Sequence, residues 1–173
     1  TSRTDGYQPP LPLGSMMVGL CLGEVIESKH PNFKIGDYVR AFGNWADYSC
    51  VDPIMTGAIK VDRNISDIRQ HFGVLGMNGW TALWGLTETA KIKKGDNVLI
   101  SAAAGSTGIL ACQIAANAGC NVYALSGKDS KCRYLEKNMG VKRAFNYKTE
   151  DLGNEFSKIP NGIDVYFDNV GGP

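Results

Sequence analysis

From Asn97 onward, short apolar runs alternate with segments whose apolar positions recur at helical spacing. Val98 to Ile100 is an unbroken apolar run of β-formers, followed by the small residues Ser101 and Ala102, which predicts a strand covered on both faces. The chain then turns through small residues and enters an alanine-rich segment with Leu110, Ile114 and Ala118 on one helical face. The same rhythm predicts strand 97–102, helix 107–118, strand 121–125, helix 129–138 with Gly140 as its C-terminal stop, strand 143–147, a short helix near 150–157 and strand 163–168. Strand and helix in strict alternation, joined by tight loops, mean an α/β fold with a parallel, doubly wound sheet. Four strands are an incomplete set, since such sheets usually have about six.

The first part of the chain reads differently. Pro9, Pro10 and Pro12 make an extended lead-in. Met17 to Glu27, Tyr38 to Phe42 and Ala46 to Val51 are strand-like, with a turn over 31–37 and Asp52-Pro53 closing the third. Short strands between Gly and Pro turns predict part of a small β-barrel. Asn64 or Ser66 could cap a helix over Asp67 to Phe72. A second helix over Trp80 to Thr89 follows, with Trp80, Leu83 or Trp84, and Thr87 or Ala90 on its apolar face. The pattern places a domain boundary near residue 62, giving 1–61 and 62–173.

Composition adds mainly exclusions. The chain has 173 residues, 43% of them hydrophobic, and a net charge of +1. No basic excess argues for nucleic acid or an acidic membrane surface, and no apolar run is long enough to span a bilayer. The opening residues lack the apolar core of a signal peptide. Five scattered cysteines, Cys21, Cys50, Cys112, Cys120 and Cys132, fit neither a disulfide framework nor a zinc lobe. Free thiols in a reducing compartment, the cytoplasm, are the expectation.

The chemistry suggested by the α/β half sits at the first strand-to-helix turn. Backbone N–H groups at a helix start can hold a pyrophosphate if no side chain blocks its approach. Gly105 and Gly108 occupy the second and third places of a G-x-G-x-x-G loop, and Ala103 replaces the first glycine. An ordinary strand-to-helix turn is the plainer reading. In NAD-binding loops an acid closes the second strand and holds the ribose. Here that strand ends in Ser126-Gly127, followed by Lys128, Lys131 and Arg133, which favours the 2′-phosphate of NADP. Asp129 is the competing acid, although it lies beyond the strand, where it also suits the first turn of a helix.

Val98 to Gly108 (VLISAAAGSTG), Ser126 to Cys132 (SGKDSKC), Phe145 to Thr149 (FNYKT) and Ile163 to Gly172 (IDVYFDNVGG) form one set. Together they resemble the zinc-independent medium-chain dehydrogenases/reductases, in the alkenal and prostaglandin reductase branch. Glu24 to Val39 and Gly76 to Ala82 (GMNGWTA, where the family commonly has GMPGLTA) extend the likeness over nearly the whole chain. The resemblance implies a partial GroES-like barrel domain followed by a partial Rossmann domain, with the active site in the cleft between them. It also implies that the chain starts inside the barrel and stops just past the fourth Rossmann strand.

The implied activity is NADPH-dependent reduction of the C=C bond of α,β-unsaturated aldehydes and ketones. By the same resemblance, Gly105, Ser106, Thr107 and Gly108 carry the pyrophosphate. Gly127, Lys131 and Tyr147 lie at the 2′-phosphate and adenosine end, Asn169 reaches toward the cofactor, and Asn44 and Trp45 border the substrate. Tyr147 also fits a strand-end aromatic, Asn169 a turn former, Lys131 a solvated helix face, and Trp45, like Trp80 and Trp84, a core residue. Zinc-dependent relatives carry Gly-His-Glu where this chain has Gly14-Ser15-Met16, so no metal is expected. No residue stands out as general acid. A quinone reductase, an NADPH-binding fragment without turnover, and an interaction protein remain the competing readings. The implied partner is a small enone or alkenal, and unpaired sheet edges favour association with a second copy.

Overall fold

A computed structural model describes residues 10–65 and 67–171. The chain forms two compact units, residues 1–71 and 72–173.

In the first unit β1 (Val18–Glu24), β2 (Tyr38–Asn44) and β3 (Ile59–Lys60) form an antiparallel sheet in that order. The register of β1 and β2 runs from Val18 opposite Asn44 to Glu24 opposite Tyr38. The strand expected over Ala46 to Val51 is absent. Ala46 N–H donates to Asn44 O, which turns the chain out of the sheet. The Asp52 carboxylate then accepts from Ile54 and Met55 N–H and builds a loop. The third sheet position goes to Ile59–Lys60, where Lys60 pairs with Asp37 at 2.7 Å. The helix expected over 67–72 is a single 3₁₀ turn, Ile68–His71, started by Asp67 accepting from Arg69 N–H. Asn64 does not cap it, and Ser66 lies outside the described residues. This turn belongs to the first unit, where the Arg40 guanidinium donates to His71 O at 3.1 Å.

In the second unit β4 (Asn97–Ile100), β5 (Asn121–Ser126), β6 (Arg143–Asn146) and β7 (Val165–Phe167) form one parallel sheet in the order β6-β5-β4-β7. Chain order therefore reverses between β4 and β7, the switch point where such sheets bind ligands. Helices α2 (Ser106–Asn117), α3 (Asp129–Asn138) and α4 (Leu152–Ser157) are the crossovers. Alternate residues of β4 feed two cores, as the pleat requires. Val98 and Ile100 pack with Ala111, Cys112, Ala115 and Leu135, whereas Leu99 packs with Tyr123 and Phe145, beside Phe156 of α4. The sheet is thus covered on both faces.

Two helix faces differ from the sequence reading. Helix α1 (Met77–Trp84), continued by a π-helical turn over Gly85–Thr89, buries Gly79, Ala82 and Leu86. A Cβ at Gly79 would stand 1.8 Å from Val74 O, so small residues take the packed side. Trp80 and Trp84 are consequently 61% and 60% exposed, and Trp45 in the first unit is 67% exposed, so none is a core residue. Helix α2 buries Gly108, Ala111, Cys112 and Ala115, one position round from the expected stripe, because close packing on the sheet selects its smallest side chains.

Candidate functional site

The carboxyl ends of β4, β5 and β7 carry most of the residues singled out from the sequence. At the end of β4 the chain passes through buried Ser101 into Ala102, whose φ of 44° lies in the left-handed region that non-glycine residues avoid. Gly105 N–H donates to Ala102 O at 2.8 Å, closing the turn. Gly105 is the N-cap of α2 and, having no side chain, leaves the first-turn N–H groups uncapped. Gly105 and Ser106 are exposed at this helix start, and Gly108 is buried beneath it. A Cβ at Gly108 would lie 2.5 Å from Ala102 O and 2.6 Å from Ala103 Cα. Glycine there sets how closely helix and loop approach. The Thr107 hydroxyl donates to Asn78 Oδ1 at 3.1 Å, so the residue that departs from the family's proline supports the loop.

The end of β5 forms the second part. Ser126 is buried, and the next residue, Gly127, faces the segment after β6. A Cβ at Gly127 would stand 2.8 Å from Tyr147 Oη and 3.1 Å from Lys148 Cε. Tyr147 N–H donates to Ser126 O at 3.2 Å, fixing that segment against β5. The structure therefore brings Gly127 and Tyr147 together. Lys131 is exposed in the first turn of α3, which begins after Lys128. Asp129, the competing acid, accepts from the Asn146 side-chain amide, which engages its carboxylate within the protein.

The end of β7 forms the third part. The Asn169 amide nitrogen donates to Ser101 O at 2.9 Å, and Asn169 N–H donates to Ser101 Oγ at 2.7 Å. Asp168 Oδ1 accepts from Ser101 Oγ, Tyr166 Oη and Val170 N–H, and Oδ2 from Gly171 N–H. These bonds, Ser101's first, hold its carboxyl down at about 2. Sequence reasoning missed Ser101 and Asp168. The only signal was Asp168-Asn169 ahead of Gly171, a turn signature.

Asn44 and Trp45 lie elsewhere, in the first unit, both exposed at the end of β2. Asn44 borders a hollow of about 1250 Å³ that is also lined by Cys21, Val25, Phe33 and Tyr48. Trp45 N–H donates to Met17 O.

Among the described residues no three His, Cys, Asp or Glu side chains gather where they could hold a metal ion. His30 Nδ1 accepts from Asn32 N–H, and His71 Nε2 lies 3.4 Å from Asp62 O. Among the described residues neither histidine is grouped with the partners a zinc site needs. Burial pushes the Cys112 thiol up to about 12, which leaves it inert as a nucleophile. No helix among the described residues is long and apolar enough to cross a membrane.

A parallel sheet with a glycine-lined helix start at its switch point is an architecture on which dinucleotides bind, and here an antiparallel unit precedes it in the chain. Comparison with known proteins agrees. Residues 1–61 match the family model described as the N-terminal domain of oxidoreductase, and residues 106–173 match the one described as zinc-binding dehydrogenase. The chain is 39% identical over 173 residues to the NADP⁺-dependent 2-alkenal reductase of Nicotiana tabacum, covering 99% of this chain and 49% of that one. It is 40% identical over 162 residues to prostaglandin reductase 1 of Oryctolagus cuniculus, covering 92% and 46%. The crystal structure of CurA from Vibrio vulnificus in complex with NADPH superposes with a TM-score of 0.86 at 32% identity, covering 99% and 50%. The chain belongs to the medium-chain dehydrogenase/reductase family. It spans about half the length of the curated relatives it matches.

Proposed function

We propose that this chain carries the NADPH-binding core of an enone reductase that acts on α,β-unsaturated aldehydes and ketones. The observation that carries the reading is the loop from Ser101 to Gly108, where uncapped N–H groups of α2 meet a backbone kept clear by Gly105. This cradle fits a dinucleotide pyrophosphate: it offers donors at the positive end of a helix and no obstructing side chain. Ser106 and Thr107 add hydroxyls at its edge, and Gly108 keeps α2 close to the strand.

The Gly127, Lys131 and Tyr147 group supports NADPH over NADH. No free acid closes β5, because Asp129 is engaged with Asn146, and Lys131 supplies a cation for the 2′-phosphate. Asn169, anchored on Ser101, stands at the β7 end, where ligands of such sheets bind. Asn44 and Trp45 are assigned to the substrate side. When bound, NADPH supplies a hydride for the β-carbon of the enone. The names of the relatives, an alkenal reductase and a prostaglandin reductase, support this substrate class. We assign no metal to the reaction, and five unpaired cysteines support a cytoplasmic setting.

The test is titration of the intact protein with NADPH and NADH by fluorescence, followed by turnover of an alkenal and of a quinone. Tighter NADPH binding with faster alkenal reduction supports the reading. Preference for the quinone would make it a quinone reductase, and NADPH binding without turnover of either would make it a binding protein.

A further inference from the structure

We propose that Asp168 is a positioning residue for the pyrophosphate loop, acting through Ser101 to impose the left-handed backbone at Ala102. The inference rests on the reading that this loop takes the dinucleotide.

Every polar atom of Ser101 is engaged by the end of β7. Its N–H donates to Phe167 O, its carbonyl accepts from the Asn169 amide, and its hydroxyl accepts from Asn169 N–H. The hydroxyl's single proton is given to Asp168 Oδ1 at 2.7 Å. The carboxylate in turn is held by Val170 and Gly171 N–H and by the Tyr166 hydroxyl, so it cannot swing away from Ser101 without losing several bonds at once.

Ala103, two residues on, is tied to the other neighbouring strand, its N–H donating to Leu125 O at 3.1 Å. Ala102 is therefore suspended between residues fixed by β7 and by β5. A non-glycine residue stays at φ 44° only where its surroundings over-determine it. That conformation turns Ala102 O inward, where it accepts from Gly105 N–H and lies against the places a Cβ would occupy at Gly105 (3.1 Å) and Gly108 (2.5 Å). The pose of this carbonyl sets the start of α2 and hence the direction of its free N–H groups.

A purely structural clasp exists for comparison at the opposite end of the same two strands. There Asp164 Oδ2 accepts from Asn97 N–H at 2.8 Å, far from the loop. The experiment compares Asp168→Asn, Ser101→Ala and Asp164→Asn in the intact protein. Two readouts are used: amide hydrogen exchange over 103–106 without cofactor, and the Kd for NADPH by fluorescence. Asp168→Asn places an NH₂ against Gly171 N–H or Ser101 Oγ, and Ser101→Ala removes the link outright.

Each should raise loop exchange and the NADPH Kd by about tenfold, the effect of losing one charge-assisted hydrogen bond. The double variant should be no worse than the worse single one. Asp164→Asn should change neither readout, whatever it does to the melting temperature. Unchanged loop exchange in both Asp168→Asn and Ser101→Ala, or an equal rise in Asp164→Asn, overturns the proposal. Should Asp168→Asn not fold, Ser101→Ala decides alone. If the wild-type protein binds no NADPH, the dinucleotide reading fails, while the exchange comparison still decides whether Asp168 positions the loop.

Discussion

Gly105 and Gly108 sit three residues apart at the start of α2, yet replacing each by alanine should do opposite things. At Gly108 the new methyl would lie 2.5 Å from Ala102 O, 2.6 Å from Ala103 Cα and 2.8 Å from Ala103 C. All three are backbone atoms, so no side chain can rotate away, and α2 must lift off the loop. Overpacking of this kind costs about 1–3 kcal/mol, and alanine's better helix propensity returns up to about 1 kcal/mol. Three contacts with fixed backbone put the clash at the upper end of that range, about 2–3 kcal/mol, so the net loss is about 1–2 kcal/mol, or roughly 5–10 °C in melting temperature for a unit of about 100 residues.

At Gly105 the methyl would stand 3.1 Å from Ala102 O, and the backbone, at φ −85° and ψ 173°, is one that alanine adopts freely. Stability there should fall by less than about 1 kcal/mol, and by less than at Gly108. The methyl would project at the exposed helix start, where the pyrophosphate must come close, so the NADPH Kd should rise by at least about tenfold. Urea denaturation and fluorescence titration of both variants separate the two effects. A Gly108→Ala protein as stable as wild type, or a Gly105→Ala protein that loses stability while binding NADPH normally, would refute the assignment of packing to one glycine and access to the other.

Lys131→Ala should weaken NADPH binding about ten- to a hundredfold and leave NADH unchanged, since a charge-assisted phosphate contact contributes about 1.5–3 kcal/mol; equal losses for both cofactors would contradict it. Ala102→Gly should raise stability in urea by up to about 1 kcal/mol, relief of left-handed strain exceeding the added chain entropy; a destabilised variant would show that Ala102 is unstrained. The Asp168 carboxyl is depressed to about 2 in the folded chain, against about 3.9 when unfolded, so its contribution to stability is complete above about pH 4 and lost as pH falls toward 2. The urea midpoint of wild type should therefore fall more steeply over that window than that of Asp168→Asn, and identical profiles would count against the bonding described.

The α/β half was legible because its signals are local. Val98 to Ile100 is a run of β-formers that reads as a strand covered on both faces, and the glycines at 105 and 108 mark a helix start that needs clear backbone. What stayed hidden depends on contacts between distant segments. Ser101 and Asp168 are 67 residues apart, and nothing in either stretch announces that one hydroxyl proton joins them. Asp129 reads as a rival ribose ligand until Asn146, 17 residues on, is seen to hold it. In the first unit, Ala46 to Val51 has strand-like composition, but the turn at Asn44 and the Asp52 loop decide against it. Tryptophans 80 and 84 read as a core stripe because helical spacing reveals a face but not its neighbour, which admits only Gly79 and Ala82.

The most direct measurement of the central claim follows the hydride. The intact protein would be incubated with a 2-alkenal and NADPH carrying deuterium at both C4 positions of the nicotinamide, and the product examined by NMR. Hydride delivery to an enone predicts a saturated aldehyde with one deuterium on the β-carbon and none on the α-carbon. Deuterium on the carbonyl carbon of an unsaturated alcohol, or no consumption of alkenal by protein that binds NADPH, would contradict the account.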